Sequence, residues 1–286
     1  MNTSELYNIF IRCFPYIPIS ERVFIKKISS GKYQFFIRYN NNKPVAFAAV
    51  SANSIALLCV LPEMQKMGYG TALLNECEKF IVNEKYRTVI LGRGSSDFFF
   101  GAVINNFSHN FFEKNGYCAY NGCLNMVLDL NEFSYSYIET KYICPENVLY
   151  EIYNDRDYIQ LINAVSSVEP RWITHYTKAS DILVAKKEGR IVGFTIFNCD
   201  AETLVTTDYD KTGMLEYVGV IPQERNKGIG INMIAYATQI LKNSSCNKAF
   251  INYTCLDKWY SKLGYQDFLW FWMGEKTYRR NINENL

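Results

Sequence analysis

One short pattern occurs twice in this chain, and its repetition constrains the fold more than any other feature. Around residue 60 the sequence places Val60, Pro62, Gln65, Gly68 and Gly70; around residue 220 it places Val220, Pro222, Arg225, Gly228 and Gly230. Both read V-x-P-x-x-[QR]-x-x-G-x-G, and each matched pair is 160 positions apart (220 − 60). Two copies of one folding unit are therefore expected, and a length of 286 residues accommodates two domains.

The surroundings repeat as well. Short apolar runs of strand length, Ser54 to Val60 and Met214 to Val220, lead into the two patterns. Helical periodicity follows each, with Leu73, Leu74, Cys77, Phe80 and Ile81 on one face, and Ile231, Ile234, Ala235, Thr238 and Leu241 on the other copy's. Further strands are expected at Thr88 to Leu91 and Lys248 to Tyr253. A closing element also recurs: Phe111, Phe112, Gly116 and Tyr117 match Trp259, Tyr260, Gly264 and Tyr265, 148 positions apart (259 − 111). The shorter offset leaves about twelve extra residues in the first copy, within Gly92 to Asn106, including Phe98, Phe99, Phe100 and Gly101.

Upstream, each copy reads as a helix (near Ser4 to Phe14 and Arg156 to Val168) and then a β-hairpin turning at residues 40–43 and 187–190. The expected fold is thus α/β, two tandem domains each with a mixed sheet and helices on both faces. The boundaries read as residues 1–132, a linker or crossover strand at 133–147, and residues 148–286.

A glycine-rich turn entering a helix aims several amide N–H groups at one point, where the helix dipole adds positive potential. Glycine permits positive φ and close approach of an anion. Residues Gln65, Lys66, Met67, Gly68, Tyr69 and Gly70 in the first copy, and Arg225, Asn226, Lys227, Gly228, Ile229 and Gly230 in the second, therefore form candidate pyrophosphate cradles. Neither is a Walker loop, because Thr71 and Ile231 follow the second glycine where Gly-Lys-Ser/Thr is required. Neither is a dinucleotide fingerprint, because Leu73 and Met233 stand where a third glycine is needed.

These paired segments resemble the GNAT acetyltransferase superfamily, and the tandem layout resembles that of mycothiol synthase-like proteins. The resemblance implies that the loops bind the pyrophosphate of acetyl-CoA, and that the strand ends at Val60 and Val220 run along its pantetheine arm by backbone hydrogen bonds. The Phe98-Phe99-Phe100-Gly101 insert is similar to that of family members linked to amino-sugar metabolism, without their usual proline.

Acyl transfer from a thioester to an amine needs a neutral amine, a stabilised oxyanion and a proton for the leaving thiolate. The resemblance implies that a tyrosine before the closing glycine supplies that proton. The second copy has Tyr260 there; the first has Phe112. Glu216, in the strand leading to Val220 and four residues from it, is the candidate base, with strand alternation placing both on one face. Its counterpart is Ala56. Asp208 and Asp210 are weaker candidates, and Cys255 has no histidine nearby in sequence for a covalent route. The second domain is therefore expected to be catalytic and the first a non-productive CoA binder or a shaper of the acceptor site.

Other classes fit less well. A net charge of +2 gives no field for nucleic acid or anionic membrane. Two histidines, His109 and His175, and nine irregularly spaced cysteines provide neither a metal site nor a disulfide framework, so reduced thiols in the cytoplasm and no metal are expected. No apolar run approaches the ~20 residues of a membrane span. The main reading is acetyl transfer to a primary amine of a small molecule in a ternary complex. The alternatives are an acyl-CoA sensor and a FemX-like aminoacyltransferase. The acceptor and the oligomeric state are left open.

Overall fold

The computed structural model describes residues 2–104, 108–142 and 145–278. Two amphipathic helices open the chain, α1 (Thr3–Cys13) and α2 (Glu21–Ser30). Asn2 and Ser20 cap them by accepting from the amides of Ser4 and Val23. An antiparallel run follows: β1 (Gln34–Asn40), β2 (Lys43–Ser51) and β3 (Ser54–Val60). Asn41 and Asn42 make the first turn at φ of 47° and 60°, a conformation asparagine tolerates. Then come α3 (Tyr69–Asn83) and β4 (Thr88–Leu91), which lies parallel to β3. The first copy ends with β5 (Ala102–Val103), α4 (His109–Lys114) and β6 (Cys118–Asp129).

The second copy repeats this order after α5 (Tyr135–Lys141) and β7 (Val148–Ile152). Helices α6 (Tyr158–Val168) and α7 (Ile173–Tyr176) precede β8 (Ile182–Lys187), β9 (Arg190–Asn198) and β10 (Thr212–Val220). Strands β7 to β10 pair antiparallel in sequence. After α8 (Ile229–Asn243), β11 (Lys248–Thr254) lies parallel to β10. The short α9 (Asp257–Tyr260) and β12 (Gln266–Thr277) follow. Each copy thus builds a mixed sheet, as expected. A second helix in each copy, α2 and α7, is additional to the expected order.

Two expectations need correction. The segment at 133–147 is not a bare linker: Ser134 caps α5 by accepting from the Tyr137 amide, Phe133 and Ile138 are buried, and Lys242 Nζ donates to the Phe133 carbonyl at 2.6 Å. Residues 143–144 lie outside the described residues, as does Asn106 at the end of the insertion. The domain boundary also differs. One compact unit takes residues up to Leu124 and resumes at Leu269, and the other is Asn125–Phe268. The two copies have exchanged final strands. In the first unit β12 lies beside β4, pairing Glu275 with Ile90 and Thr277 with Thr88. In the second unit the end of β6 lies beside β11, where Asn125 donates to the Asn252 carbonyl.

Each core forms under the helix that follows the glycine loop. In the first unit Leu73, Leu74, Cys77 and Ile81 of α3 pack on Ala46, Ala48 and Ile55. The Phe98-Phe99 insertion is core rather than surface loop: Phe98 stacks near Phe10 and Phe24 with ring centroids 5.9 and 5.5 Å apart, and Phe99 packs on Phe14 at 5.0 Å. Burial of one such ring contributes about 2–3 kcal/mol. In the second unit Ile231, Ile234, Ala235, Thr238 and Leu241 are buried on α8, the face read from the sequence period.

Candidate acyl-CoA site

The two glycine loops adopt the same backbone. Lys66 and Asn226 both have φ of 62°, and Gly68 and Gly228, at φ of 88° and 83°, serve as left-handed N-caps of α3 and α8 without any capping side chain. An L side chain at Gly68 or Gly228 meets the steric cost of that region. Among the described residues the amides of 67–71 and of 227–231 have no hydrogen-bond acceptor, whereas Ala72 and Asn232 begin the helical ladder on Gly68 and Gly228. Successive unpaired amides at a helix N-terminus form an anion cradle. The second loop glycine meets the closing element: a side chain at Gly70 would touch Phe111 at 3.5 Å and Val60 at 3.7 Å, and one at Gly230 would touch Trp259 and Val220, both at 3.4 Å.

Gln65 and Arg225 each donate back to the strand that leads into their loop. Gln65 Nε2 donates to the Val60 carbonyl at 3.2 Å, and Arg225 Nε donates to the Val220 carbonyl at 3.0 Å. Each braces its loop to its strand. The Val60 carbonyl also accepts from Cys13 Sγ at 3.2 Å. Both strand-end valine carbonyls thus already accept a hydrogen bond within the chain. Pairing of β3 with β4 stops at Ile55, and pairing of β10 with β11 stops at Leu215, so the strands part beyond those residues. Lys227 is held by Glu224 at 3.2 Å, with Lys187 on the same carboxylate at 3.1 Å; Lys187 and then Lys227 hold that carboxyl below its usual range. Lys66 is exposed at the mouth of the first cleft.

In the first unit the parted strands open a cleft of about 690 Å³. Its wall includes the loop, the β3 edge, Phe14, Phe99, Ala56 and Phe112. A methyl stands at 56 and a phenyl ring at 112, and neither can accept or donate a proton. The repeat maps this wall onto the second unit. Rings Phe111, Phe112 and Tyr117 contact one another at 5.1 and 5.6 Å with tilts of 72° and 75°. Rings Trp259, Tyr260 and Tyr265 do so at 4.8 and 5.8 Å with tilts of 89° and 70°. Tyr260 thus holds the place of the cleft-lining Phe112, and Glu216 that of Ala56.

Tyr260 is buried, and burial pushes its hydroxyl well above the ordinary value of 10. Its hydroxyl makes no hydrogen bond among the described residues. A phenol in that state stays protonated, and the same desolvation raises the proton affinity of a thiolate leaving beside it. Glu216 is half-buried, and its main-chain oxygen accepts from Thr195 Oγ1 at 3.1 Å. The side chain lies close enough to the buried Tyr176 to help raise that phenol, after burial itself. Strict alternation does not hold along β10, because a bulge shifts its register between Glu216 and Gly219, with Tyr217 at φ of 52°. An extra residue in the strand breaks the period that would align Glu216 with Val220. Asp208 is exposed, and Asp210 is committed to Lys248 at 2.6 Å, which holds its carboxyl low.

A model of the acetyltransferase (GNAT) family matches residues 3–117, and a model of the GNAT acetyltransferase domain matches residues 178–267. The chain belongs to the GNAT acetyltransferase family. Acyl-CoA is the general donor of GNAT proteins and acyl transfer their general chemistry. No curated protein matches the sequence. Among solved structures, a GCN5-related glucosamine N-acetyltransferase region of a fungal multi-domain β-N-acetylglucosaminidase is similar over 96% of this chain at 21% identity and a TM-score of 0.79. This chain spans only 37% of that protein. A GCN5-related N-acetyltransferase from Sphaerobacter thermophilus has a TM-score of 0.74 at 15% identity, covering 99% of this chain and 95% of the other. A tandem GNAT protein of the clavulanic acid biosynthesis pathway has a TM-score of 0.66 at 11% identity, covering 96% and 94%. At these identities the likeness concerns the fold.

No local sequence pattern announces the aromatic group over the β10 bulge of this GNAT chain. The His175 ring stacks on Tyr217 at 4.1 Å and 21°, and Trp172 meets Tyr217 edge-on at 5.8 Å. Tyr176 donates to the Tyr217 carbonyl at 2.7 Å. These residues come from α7 and the turn before it, some forty positions from β10, and no local pattern joins them. No helix of the described residues is long and apolar enough to cross a membrane.

Proposed function

We propose that the chain is an acetyl-CoA-dependent N-acetyltransferase in which the second unit transfers the acetyl group directly to the primary amine of a small molecule. The reading is carried by Glu216 and Tyr260 standing where the first copy of the repeat has Ala56 and Phe112. Glu216 takes a proton from the acceptor ammonium, freeing its lone pair to attack the thioester. Tyr260 gives a proton to the CoA thiolate as it leaves. The loop amides at 227–231 hold the pyrophosphate and so fix the thioester beside both groups.

The first unit binds acetyl-CoA through its own loop and performs no transfer, since its cleft offers a methyl and a phenyl ring where the second offers a carboxylate and a phenol. A reducing compartment such as the cytoplasm suits the chain, in which no disulfide joins the described cysteines. The glucosamine acceptor named for the fungal relative makes hexosamines the first amines to assay.

Native mass spectrometry with acetyl-CoA, followed by a thiol-release assay over a panel of amines, tests this reading. Two bound molecules per chain and turnover abolished by Glu216→Gln support it. Failure to bind acetyl-CoA at millimolar concentration refutes it.

A further inference from the structure

Residues 55–60 of β3 all line the first cleft. Leu57 is among them, and Tyr217 holds its place in the repeat. Tyr217 is also the bulged residue, at a positive φ that a bulky L residue adopts only when its surroundings enforce it. Those surroundings are visible. Tyr176, itself buried, ties down the Tyr217 carbonyl, Trp172 closes on one ring edge, and the His175 imidazole lies flat against the ring. His175 is exposed, and its ring makes no hydrogen bond among the described residues. The first copy has no counterpart to this wall, having Leu57 at the bulge position.

We propose that Trp172, His175 and Tyr217 form the acceptor-recognition face of the second unit and fit it to an amine carried on a hydroxylated ring, an amino sugar. The proposal rests on the second unit being the one that transfers. Its chemistry follows from the three side chains and Glu216. Aromatic surfaces take the C–H face of a saturated ring and favour a cationic amine beside them. Neutral imidazole supplies one donor and one acceptor, which ring hydroxyls can satisfy together. An aliphatic polyamine offers the ammonium but leaves those two groups without partners, and a site built for a hydroxyl discriminates against ligands that lack it. Glu216, adjacent to Tyr217 in the chain, receives the ammonium. Trp172 and His175 act by positioning the acceptor, while proton transfer stays with Glu216.

Calorimetric titration of glucosamine into the full chain saturated with CoA tests the proposal without requiring turnover, with spermidine as the comparison ligand. Glucosamine is expected to bind more tightly than spermidine. His175→Ala and Trp172→Ala are each expected to weaken glucosamine about tenfold, leaving CoA affinity unchanged. His175→Asn, which keeps a donor and an acceptor, recovers part of the loss. Equal glucosamine binding by wild type and His175→Ala overturns the proposal, as does a preference for spermidine. His175 is exposed, so its variant decides the matter even if Trp172→Ala fails to fold. Glucosamine binding that depends on His175, without acetyl transfer by the wild type, leaves this wall in place and refutes the proposed reaction instead.

Discussion

Glu78 and Lys276 form a bidentate ion pair at 3.0 and 3.1 Å across 198 positions of sequence. Glu78 belongs to α3 and is 6% exposed; Lys276 belongs to β12, the strand exchanged into the first unit. The ammonium also sits 5.7 Å from the Tyr117 ring and 5.2 Å from the Tyr278 ring. Burial, and then the Glu78 carboxylate beside it, pushes the Tyr117 hydroxyl far above its ordinary value. The pair therefore fixes the register of the last strand on the helix that carries the first loop. Lys276→Ala is expected to destabilise the first unit by about 2–4 kcal/mol, since it leaves a buried carboxylate unpaired. The double variant Glu78→Leu with Lys276→Met should recover most of that loss. Urea unfolding of the three variants checks both statements; a single variant as stable as wild type contradicts them.

Tyr260→Phe places in the second copy the ring that the first already has in Phe112. Folding and acetyl-CoA binding should therefore survive, while turnover falls by ~10²–10⁴-fold. The sign of the pH effect follows from burial. A phenol whose folded value is raised above 10 keeps its proton at every pH below that, so loss of the acid form cannot produce an alkaline fall in rate below about pH 10. Thiol-release kinetics from pH 6 to 10 on both proteins measure this. A Phe variant with wild-type turnover removes Tyr260 from the mechanism.

The loop glycines separate the two units. Gly68→Ala and Gly228→Ala each force an L side chain to φ near 88° or 83°, at a cost of about 1–2 kcal/mol to the cradle. Native mass spectrometry should show wild type with two acetyl-CoA molecules and each variant losing one. Only Gly228→Ala should lose turnover in proportion. Equal loss of turnover in Gly68→Ala would make the first unit a participant in the chemistry.

How much of this was legible beforehand depends on the range over which each signal acts. Ser54 to Val60 reads as a strand and α8 as a helix because period and turn residues are local, and the loop physics follows from two glycines. The exchange of β6 and β12 was illegible, because both strands match the same place in the repeat and the sequence does not say which copy each one joins. The bulge at Tyr217 was hidden for a related reason: one added residue leaves the apolar pattern of β10 intact while reversing its faces. The stacking of His175 on Tyr217 joins α7 to the interior strand β10, and only tertiary packing brings it about.

Arg225 decides between two accounts of the loop. Its Nε donates to the Val220 carbonyl at 3.0 Å, and Gln65 makes the same contact with Val60 at 3.2 Å. If the brace is what matters, Arg225→Gln should keep acetyl-CoA affinity within about twofold, because glutamine already does this work in the first copy. Arg225→Leu should weaken it about 5–10-fold by leaving the carbonyl without that donor. If the guanidinium instead neutralises phosphate, both variants should weaken alike, and the salt dependence of binding should fall in both. Calorimetry of the two variants at 50 and 300 mM salt separates these outcomes, and the brace predicts that only the leucine variant departs from wild type.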